Sequence, residues 1–262
     1  MGTAAVHCVV RRYTVTDGIV IRRKPLPSGD LVVTLLSHEG KWRGVARKGK
    51  LPGGNLGKLS LFHDVTLQYY RKRDEDLALI TQVQLGGALP GLTRPDVYPY
   101  ANLLAELVDA LTVDVHLGDR VHEYLTSGLR GLVKHHDPEH VALVYSWRLL
   151  GLAGLAPTVS RCALCGAPGP LVAYDPAAGG LTCDRCSLTG GTGAAASGLG
   201  TSFVGDDGAA ELCDLVEAPM REALARPPRR RDVHWRVLSR HVGYHVRELN
   251  SLEALPLAAA AS

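Results

Sequence analysis

The arrangement of four cysteines constrains this chain more than any other feature of its sequence. Cys162 and Cys165 form one C-x-x-C pair, Cys183 and Cys186 form a second, and 17 residues separate the two pairs. Two such pairs at this separation are typical of a structural zinc site, because each pair directs two thiolates at one ion. Four thiolates would leave no coordination position for a substrate, so the predicted Zn²⁺ is structural rather than catalytic. Two disulfides, or a redox-active pair of the thioredoxin kind, are the alternatives.

The residues between the two pairs can bring them together. Gly166 follows the first pair and allows a tight backbone turn. The stretches 171–174 and 179–182 are predicted to form a small hairpin that returns the second pair to the first. We therefore expect a zinc-binding insert over residues 161–187. The other two cysteines of the chain are expected to be ordinary reduced thiols.

Composition places the chain among globular proteins. Its 262 residues are 46% hydrophobic and 21% charged, which allows a sizeable core and argues against global disorder. The longest apolar runs fall well short of the roughly 18 residues of a transmembrane helix, and the first residues show no signal-peptide pattern. We therefore expect a cytoplasmic protein without a membrane partner, divided into two or three modules.

The first 85 residues have the pattern of a small β-barrel. β-Branched runs such as 14–21 and 31–36 are separated by turn-forming segments, and three further runs follow before residue 84. Five short strands with irregular connections suit a Greek-key barrel of the OB type. An SH3-like barrel or a small sandwich is the alternative. We predict an OB-fold nucleic-acid-binding domain over residues 1–85.

After this β-rich part, apolar residues recur at helical spacing. Predicted helices begin near Tyr98, Asp119 and Asp137, the last with aspartate as its N-cap and proline as its first helical residue. Helical patterns resume beyond the cysteines, at about 208–224 and 232–252. The change of period indicates a second domain that is mainly helical.

These patterns together predict an α+β, multidomain chain. An N-terminal OB-type β-barrel is followed by a mainly α-helical domain over residues 86–160 and 188–262. The four-cysteine zinc module over residues 161–187 is inserted into that helical domain.

Positive charge is concentrated in the first third of the chain. Residues 1–80 carry 14 Lys and Arg against 7 Asp and Glu, although the net charge of the whole chain is only +3. Cations interleaved with aromatic rings are typical of proteins that hold single-stranded nucleic acid, because cations contact phosphates and rings stack on bases. A merely solvated basic surface is the alternative. For Trp42, stacking and core packing are both open, and one of Tyr69 and Tyr70 must face the core by alternation. The predicted nucleic-acid contacts are Arg22, Arg23, Lys24, Lys41, Trp42, Arg43, Arg47, Lys48, Lys50, Lys58, Arg71, Lys72 and Arg73.

A second basic cluster, Arg229–Arg231, lies between two predicted helices. We expect it to cap a helix or to pair with carboxylates such as Glu217 or Glu222. It is therefore expected to matter less for nucleic acid than the barrel, and the sequence leaves open whether it forms a second DNA site.

Motifs of catalysis are absent from the sequence. The glycine-rich stretch 53–58 lacks the Ser or Thr that a phosphate loop requires after its lysine. His241 and His245 are four residues apart on a predicted helix, but the glutamate of the zinc-protease motif is missing, so a helix-surface or core-edge pair is the better interpretation. We predict that the chain is not an enzyme.

Nine stretches, spread over nearly the whole chain, together match the sequence pattern of a known family. They are Gly18–Ile21, Gly29–Ser37, Gly40–Lys41, Gly44–Gly49, Tyr98–Leu107, Trp147–Pro157, Cys162–Gly166, Tyr174–Cys183 and Leu238–Leu252. In their order and spacing they resemble the bacterial RecO family, the recombination mediators of DNA repair.

The resemblance implies binding of single- and double-stranded DNA and annealing of complementary strands, including strands coated by single-stranded DNA-binding protein. It also implies partnership with RecR and indirect help in loading RecA, which would make the cytoplasmic protein nucleoid-associated. Two other classes stay open. One is an RNA-binding factor of translation built from an OB barrel and a zinc ribbon, and the other is a metal-dependent hydrolase with dispersed ligands.

Overall fold

Two units make up the chain in the computed structural model, Met1–Leu89 and Pro90–Ser262. The structure describes residues 13–47, 57–73, 77–112, 118–188 and 201–255. It confirms the α+β class, with five N-terminal strands, a helical C-terminal part and a four-cysteine cluster. Among the described residues, no helix is long and apolar enough to cross a membrane.

Five strands form the sheet of the first unit. They are β1 (Tyr13–Pro25), β2 (Leu31–Ser37), β3 (Gly40–Ala46), β4 (Asp64–Tyr70) and β5 (Ala78–Gly87). Their order is β1-β2-β3-β5-β4, and β4 also pairs antiparallel with β1, so the sheet closes on itself. β3 and β5 are parallel, and the other neighbours are antiparallel. These are the five strands that the sequence predicts.

Alternation along the strands separates the core of this unit from its surface. Val33 and Leu35 of β2 point inward together with Val65 and Leu67 of β4, and all four are buried. Tyr69 also packs against this core, which confirms that one of the two adjacent tyrosines faces inward. The other side of the strands carries exposed cations such as Lys41 and Arg43 together with apolar residues such as Val45 and Leu79.

Helices dominate the second unit. They are a 3₁₀ helix (Pro90–Thr93), α1 (Tyr98–Leu111), α2 (Gly118–Lys134), α3 (Pro138–Leu152), α4 (Asp184–Leu188), α5 (Gly205–Glu217), α6 (Met220–Ala225), α7 (Arg231–His245) and α8 (Asn250–Glu253). α3 begins as predicted, because the side chain of Asp137 accepts a hydrogen bond from the backbone N–H of His140 at 3.1 Å. The predicted helix over 208–224 is instead broken between α5 and α6. Pro219 forces Ala218, the residue before it, into an extended conformation.

A three-stranded sheet accompanies the cysteines. Its strands β6 (Leu171–Asp175), β7 (Gly180–Cys183) and β8 (Ser202–Phe203) lie in the order β7-β6-β8. β6 and β7 are antiparallel neighbours, which confirms the predicted hairpin between the two C-x-x-C pairs.

The basic cluster at the start of α7 pairs with carboxylates, but not with those expected from the sequence. The guanidinium of Arg231 donates to Asp137 and, at 3.0 Å, to Glu139. The expected partners, Glu217 and Glu222, are therefore wrong for this arginine. Proximity in sequence suggested them, whereas tertiary packing brings the start of α7 to the start of α3.

Three buried histidines hold elements of this unit together. His241 accepts a hydrogen bond from the hydroxyl of Tyr174 in β6 and donates one to the carbonyl of Leu155 at 2.7 Å, so it joins the sheet to α7 and to the end of α3. His140 and His234 are equally enclosed. Burial lowers the pKa of all three rings, and that of His241 falls to about 4.

The buried histidines should make the second unit sensitive to mild acid. Between pH 6.5 and about 4 the unfolded chain protonates His241 while the folded chain does not, so the free energy of unfolding should fall as pH is lowered through this window. The contribution of His241 is on the order of 3 kcal/mol. Urea unfolding at several pH values should show a shallower pH dependence for His241→Gln. An unchanged dependence relative to the exposed-site control His136→Gln would contradict the assignment.

Candidate metal centre and nucleic-acid interface

The four paired cysteines converge on one point in the second unit. Cys162 and Cys165 lie in a turn beyond α3, Cys183 ends β7 and Cys186 lies in α4. Their sulfur atoms all lie within 4.8 Å of one another. The structure therefore brings together the four residues that the sequence predicts as ligands.

Backbone hydrogen bonds shape the first cysteine pair. The N–H of Cys162 donates to the carbonyl of Ala167 at 2.7 Å, and the N–H of Gly166 donates to the carbonyl of Cys162 at 2.9 Å. Gly166 has φ +73°, a conformation that a residue without a side chain adopts at little cost. The turn directs both thiols of the pair to the same side.

Two further hydrogen bonds fasten the first pair to the second. The N–H of Ala163 donates to the carbonyl of Leu181 at 2.7 Å. The N–H of Cys183 is directed at the sulfur of Cys162, 3.4 Å away. The distance between the pairs is thus set by the β6–β7 hairpin and not by the cysteines alone.

The spacing of the sulfurs fits a tetrahedral metal site. Cys165 Sγ and Cys183 Sγ are 3.8 Å apart, and four sulfurs about 2.3 Å from one ion lie about 3.8 Å from each other. A disulfide would need a separation of about 2.05 Å, and the described cysteines form no disulfide. The cluster could hold a metal ion with all four thiolates, which would leave no open coordination position.

The surroundings of Cys162 favour the thiolate form of its side chain. Burial would raise the pKa of Cys162, but the backbone N–H groups of Cys165, Cys183 and Leu164 lower it to about 6. Hydrogen bonds with neighbouring thiols raise the pKa of Cys186 to about 12. Four thiolates this close repel one another, so full deprotonation requires a cation between them.

Removing one cysteine should remove the metal. We predict about one metal ion per chain in freshly purified, unchelated protein, and a large loss of metal in Cys162→Ser together with destabilisation of residues 160–187. Cys213→Ser is the matched control, because this free cysteine lies outside the cluster. Elemental analysis that finds no metal in the wild-type protein would contradict the site.

The predicted nucleic-acid contacts of the first unit are best described by the faces of their strands. Arg22 of β1 and Arg43 of β3 are both register partners of Thr34 in β2, so they share the outer face of three adjacent strands. Lys24 and Lys41 lie two residues away from them on the same face. We call these four exposed cations the basic face.

Other predicted contacts lie away from the basic face. Arg23 is the register partner of the core residue Val33 and so lies on the opposite side of β1. Lys58 donates to the backbone carbonyl of Val83 at 3.2 Å. Arg71 lies over the ring of Tyr69, with 5.5 Å between its guanidinium carbon and the ring centre.

The remaining predicted contacts lie in loops next to β3 and β4. Arg47 is exposed directly after β3, and Lys72 and Arg73 are exposed directly after β4. Lys48 and Lys50 lie outside the described residues.

Trp42 lies inside the barrel. Only 9% of its surface is exposed, and its ring packs against Tyr69 with 5.1 Å between ring centres. Gly44, on the same side of β3, leaves room for it, because a Cβ at this position would lie 2.3 Å from the Trp42 ring. This placement favours the packing interpretation of Trp42, and its ring does not join the basic face.

One surface residue was not identified from the sequence. Tyr13, at the first position of β1, is 51% exposed and lies opposite Tyr70 of β4. The sequence analysis begins this strand at Thr14 and contains no signal for which strand would lie beside it. Only the pairing of β1 with β4 shows that two tyrosines meet on the surface.

Comparisons with known proteins agree along most of the chain. The family model "Recombination protein O N terminal" matches residues 12–88, and "Recombination protein O C terminal" matches residues 93–204. The chain is 33% identical to "DNA repair protein RecO" of Streptomyces avermitilis over 211 residues, which cover 76% of this chain and 85% of that protein. The protein of the same name from Thermobifida fusca is 32% identical over 66% of this chain and 73% of its own length. With both family models matched and a third of the aligned residues identical, the chain belongs to the RecO family of DNA repair proteins.

Proposed function

We propose that this chain is a recombination mediator that binds single- and double-stranded DNA without sequence preference and anneals complementary strands. With RecR it helps to load RecA onto DNA coated by single-stranded DNA-binding protein. The observation that carries the proposal is the basic face, because four exposed cations lie together on the outer face of β1 to β3. Membership of a DNA repair family also supports a role in recombination and repair.

The geometry of the basic face suits a phosphate backbone. Arg22 and Arg43 lie one strand to either side of Thr34, about 10 Å apart. Cations fixed on a rigid sheet contact phosphates irrespective of the bases they carry, which is the physical basis for binding without sequence preference.

Annealing needs no bond-making chemistry from the protein. Two polyanions repel each other, and a cationic surface that neutralises one of them lowers the barrier to their approach. Within residues 13–47, 57–73, 77–112, 118–188 and 201–255, the cysteine cluster is the only group of three or more potential metal-ligating side chains at ligand spacing. Because annealing requires only that strands are bound and their repulsion reduced, the proposed role is that of a binding protein and not of an enzyme.

The OB type of the barrel and the identity of the metal belong to the same proposal. A closed sheet of five strands with the order β1-β2-β3-β5-β4 supports an OB-type barrel, a common scaffold for single-stranded nucleic acids. Four thiolates at tetrahedral spacing support Zn²⁺ in a structural role.

Family membership favours DNA repair over an RNA-binding factor of translation. A competition experiment distinguishes the two, because a mediator should retain labelled single-stranded DNA when unlabelled RNA of the same length is added. The annealing assay is the direct test. Complementary strands, bare or coated with single-stranded DNA-binding protein, should anneal faster when the protein is present.

Removing cations from the barrel should weaken DNA binding in a salt-dependent way. Lys24→Ala with Arg43→Ala removes two exposed cations of the basic face. Each cation that neutralises a phosphate of a single strand adds about 0.7 to the steepness of log K against log[salt]. The double variant should therefore show a slope shallower by about 1.4, together with slower annealing.

The matched control carries the same change of charge in the second unit. Arg120→Ala with Arg221→Ala removes two exposed cations from α2 and α6. This variant is a better comparison than one lacking Arg231, whose ion pairs with Asp137 and Glu139 hold the fold. If the control loses more affinity than the barrel variant while both remain folded, the basic face is not the main DNA site.

A further inference from the structure

Two tyrosines meet on the outside of the first unit. Tyr13 of β1 is the register partner of Tyr70 of β4, and Leu79 of β5 continues the row. Since Tyr69 packs against the core, Tyr70 points to the outer face, and its register partner Tyr13 shares that face. Cβ atoms of directly opposite residues are about 5 Å apart. We call these two residues the tyrosine pair.

The surface beside the tyrosine pair is apolar or carries amides instead of charges. The next row on this face consists of Val15, Gln68 and Gln82, and Val15 is 62% exposed. The carboxylate of Asp17 lies further along β1, about 13 Å from Tyr13. A ligand that contacts the tyrosine pair therefore meets rings, aliphatic groups and hydrogen-bonding amides.

Cations border the tyrosine pair in two directions. Lys72 and Arg73 are exposed just beyond Tyr70 along the chain. Across the sheet the row runs from Tyr70 through Leu79 to Val45 of β3, which lies between Arg43 of the same strand and Arg47 just after it. Val45 is two strand spacings from Tyr70, or about 10 Å. An uncharged aromatic surface bordered by cations matches a nucleic-acid strand, whose bases are uncharged and whose phosphates are anionic.

We propose that the tyrosine pair stacks on unpaired bases and gives the protein its preference for single strands over duplex. The inference rests on the proposed DNA-binding function. Within that function it assigns different parts of the DNA to the cations and to the tyrosine pair. Cations contact phosphates, which single strands and duplexes share. Only an unpaired strand can offer the faces of its bases to Tyr13 and Tyr70.

The test compares three labelled ligands at one salt concentration. They are an oligothymidylate, the same strand carrying abasic sites, and a duplex. Abasic sites keep the phosphates and remove the bases. Wild-type protein should bind the intact strand at least about fivefold more tightly than the abasic strand, as expected for one or more stacked bases. The variant Tyr13→Thr with Tyr70→Thr should lose this difference and keep its affinity for the abasic strand and the duplex. Its salt dependence should also be unchanged.

Threonine is chosen because it keeps the preference of both positions for a strand. Leu85→Thr changes an exposed apolar residue near the other end of β5, away from the tyrosine pair, and should leave all three affinities unchanged. Tyr13→Phe with Tyr70→Phe keeps both rings and should retain the difference between intact and abasic strands. If the threonine variant does not fold, ultraviolet cross-linking of a bromodeoxyuridine-substituted strand to wild-type protein replaces it. Mass spectrometry should then find the adduct on Tyr13 or Tyr70, and adducts only elsewhere would overturn the inference.

The outcomes separate the tyrosine pair from the function on which it rests. A threonine variant that still distinguishes intact from abasic strands overturns the inference and leaves DNA binding by the basic face in place. Equal loss of affinity for all three ligands also overturns it, because the tyrosines would then only support the fold. Wild-type protein that binds none of the three overturns the proposed function together with the inference.

Discussion

Packing inside the closed five-stranded sheet is the constraint on which the basic face depends. Trp42 fills the interior of the barrel, and it can do so because Gly44 has no side chain to occupy the same space. With alternate residues of β3 committed to the core, Lys41 and Arg43 must point outward. In β1 a register shift between the core residue Val20 and Arg22 interrupts the alternation and turns Arg22 and Lys24 outward, so cations of two strands collect on either side of β2. The basic face is thus a consequence of how the core is filled.

Charge has a different role in the second unit. Arg231 donates to Asp137 and Glu139, and Glu139 also accepts a hydrogen bond from the indole of Trp235 at 2.8 Å. These groups are satisfied within the protein, so this arginine has less to offer a phosphate than an exposed cation of the barrel. The cysteine module is fastened to the same unit by the hydrogen bond between Tyr174 and His241. A metal at the cysteines would therefore stabilise a sheet that is already connected to α7.

Local patterns predicted most elements of the fold. The five strands, the hairpin between the cysteine pairs and the start of α3 at Asp137 all follow from short-range chemistry, namely side-chain alternation, turn residues and an N-cap. The predicted helix over 208–224 was wrong because the structure breaks it before Pro219. The cause is again local, since this proline is visible in the sequence. The carboxylate partners of Arg231 could not be found in this way, since they lie more than 90 residues away in the chain.

The sequence by itself determined which four cysteines form the cluster and the concentration of positive charge in the first third. Both depend on spacing or composition within a short stretch. Only the tertiary structure decided that Trp42 is buried, that Arg22 rather than Arg23 shares a face with Arg43, and that Tyr13 lies opposite Tyr70. The physical reason is that alternation assigns residues to the two faces of one strand, whereas neighbouring strands and their register are set by contacts between distant parts of the chain. A shift of one residue in that register would exchange the two faces of a strand.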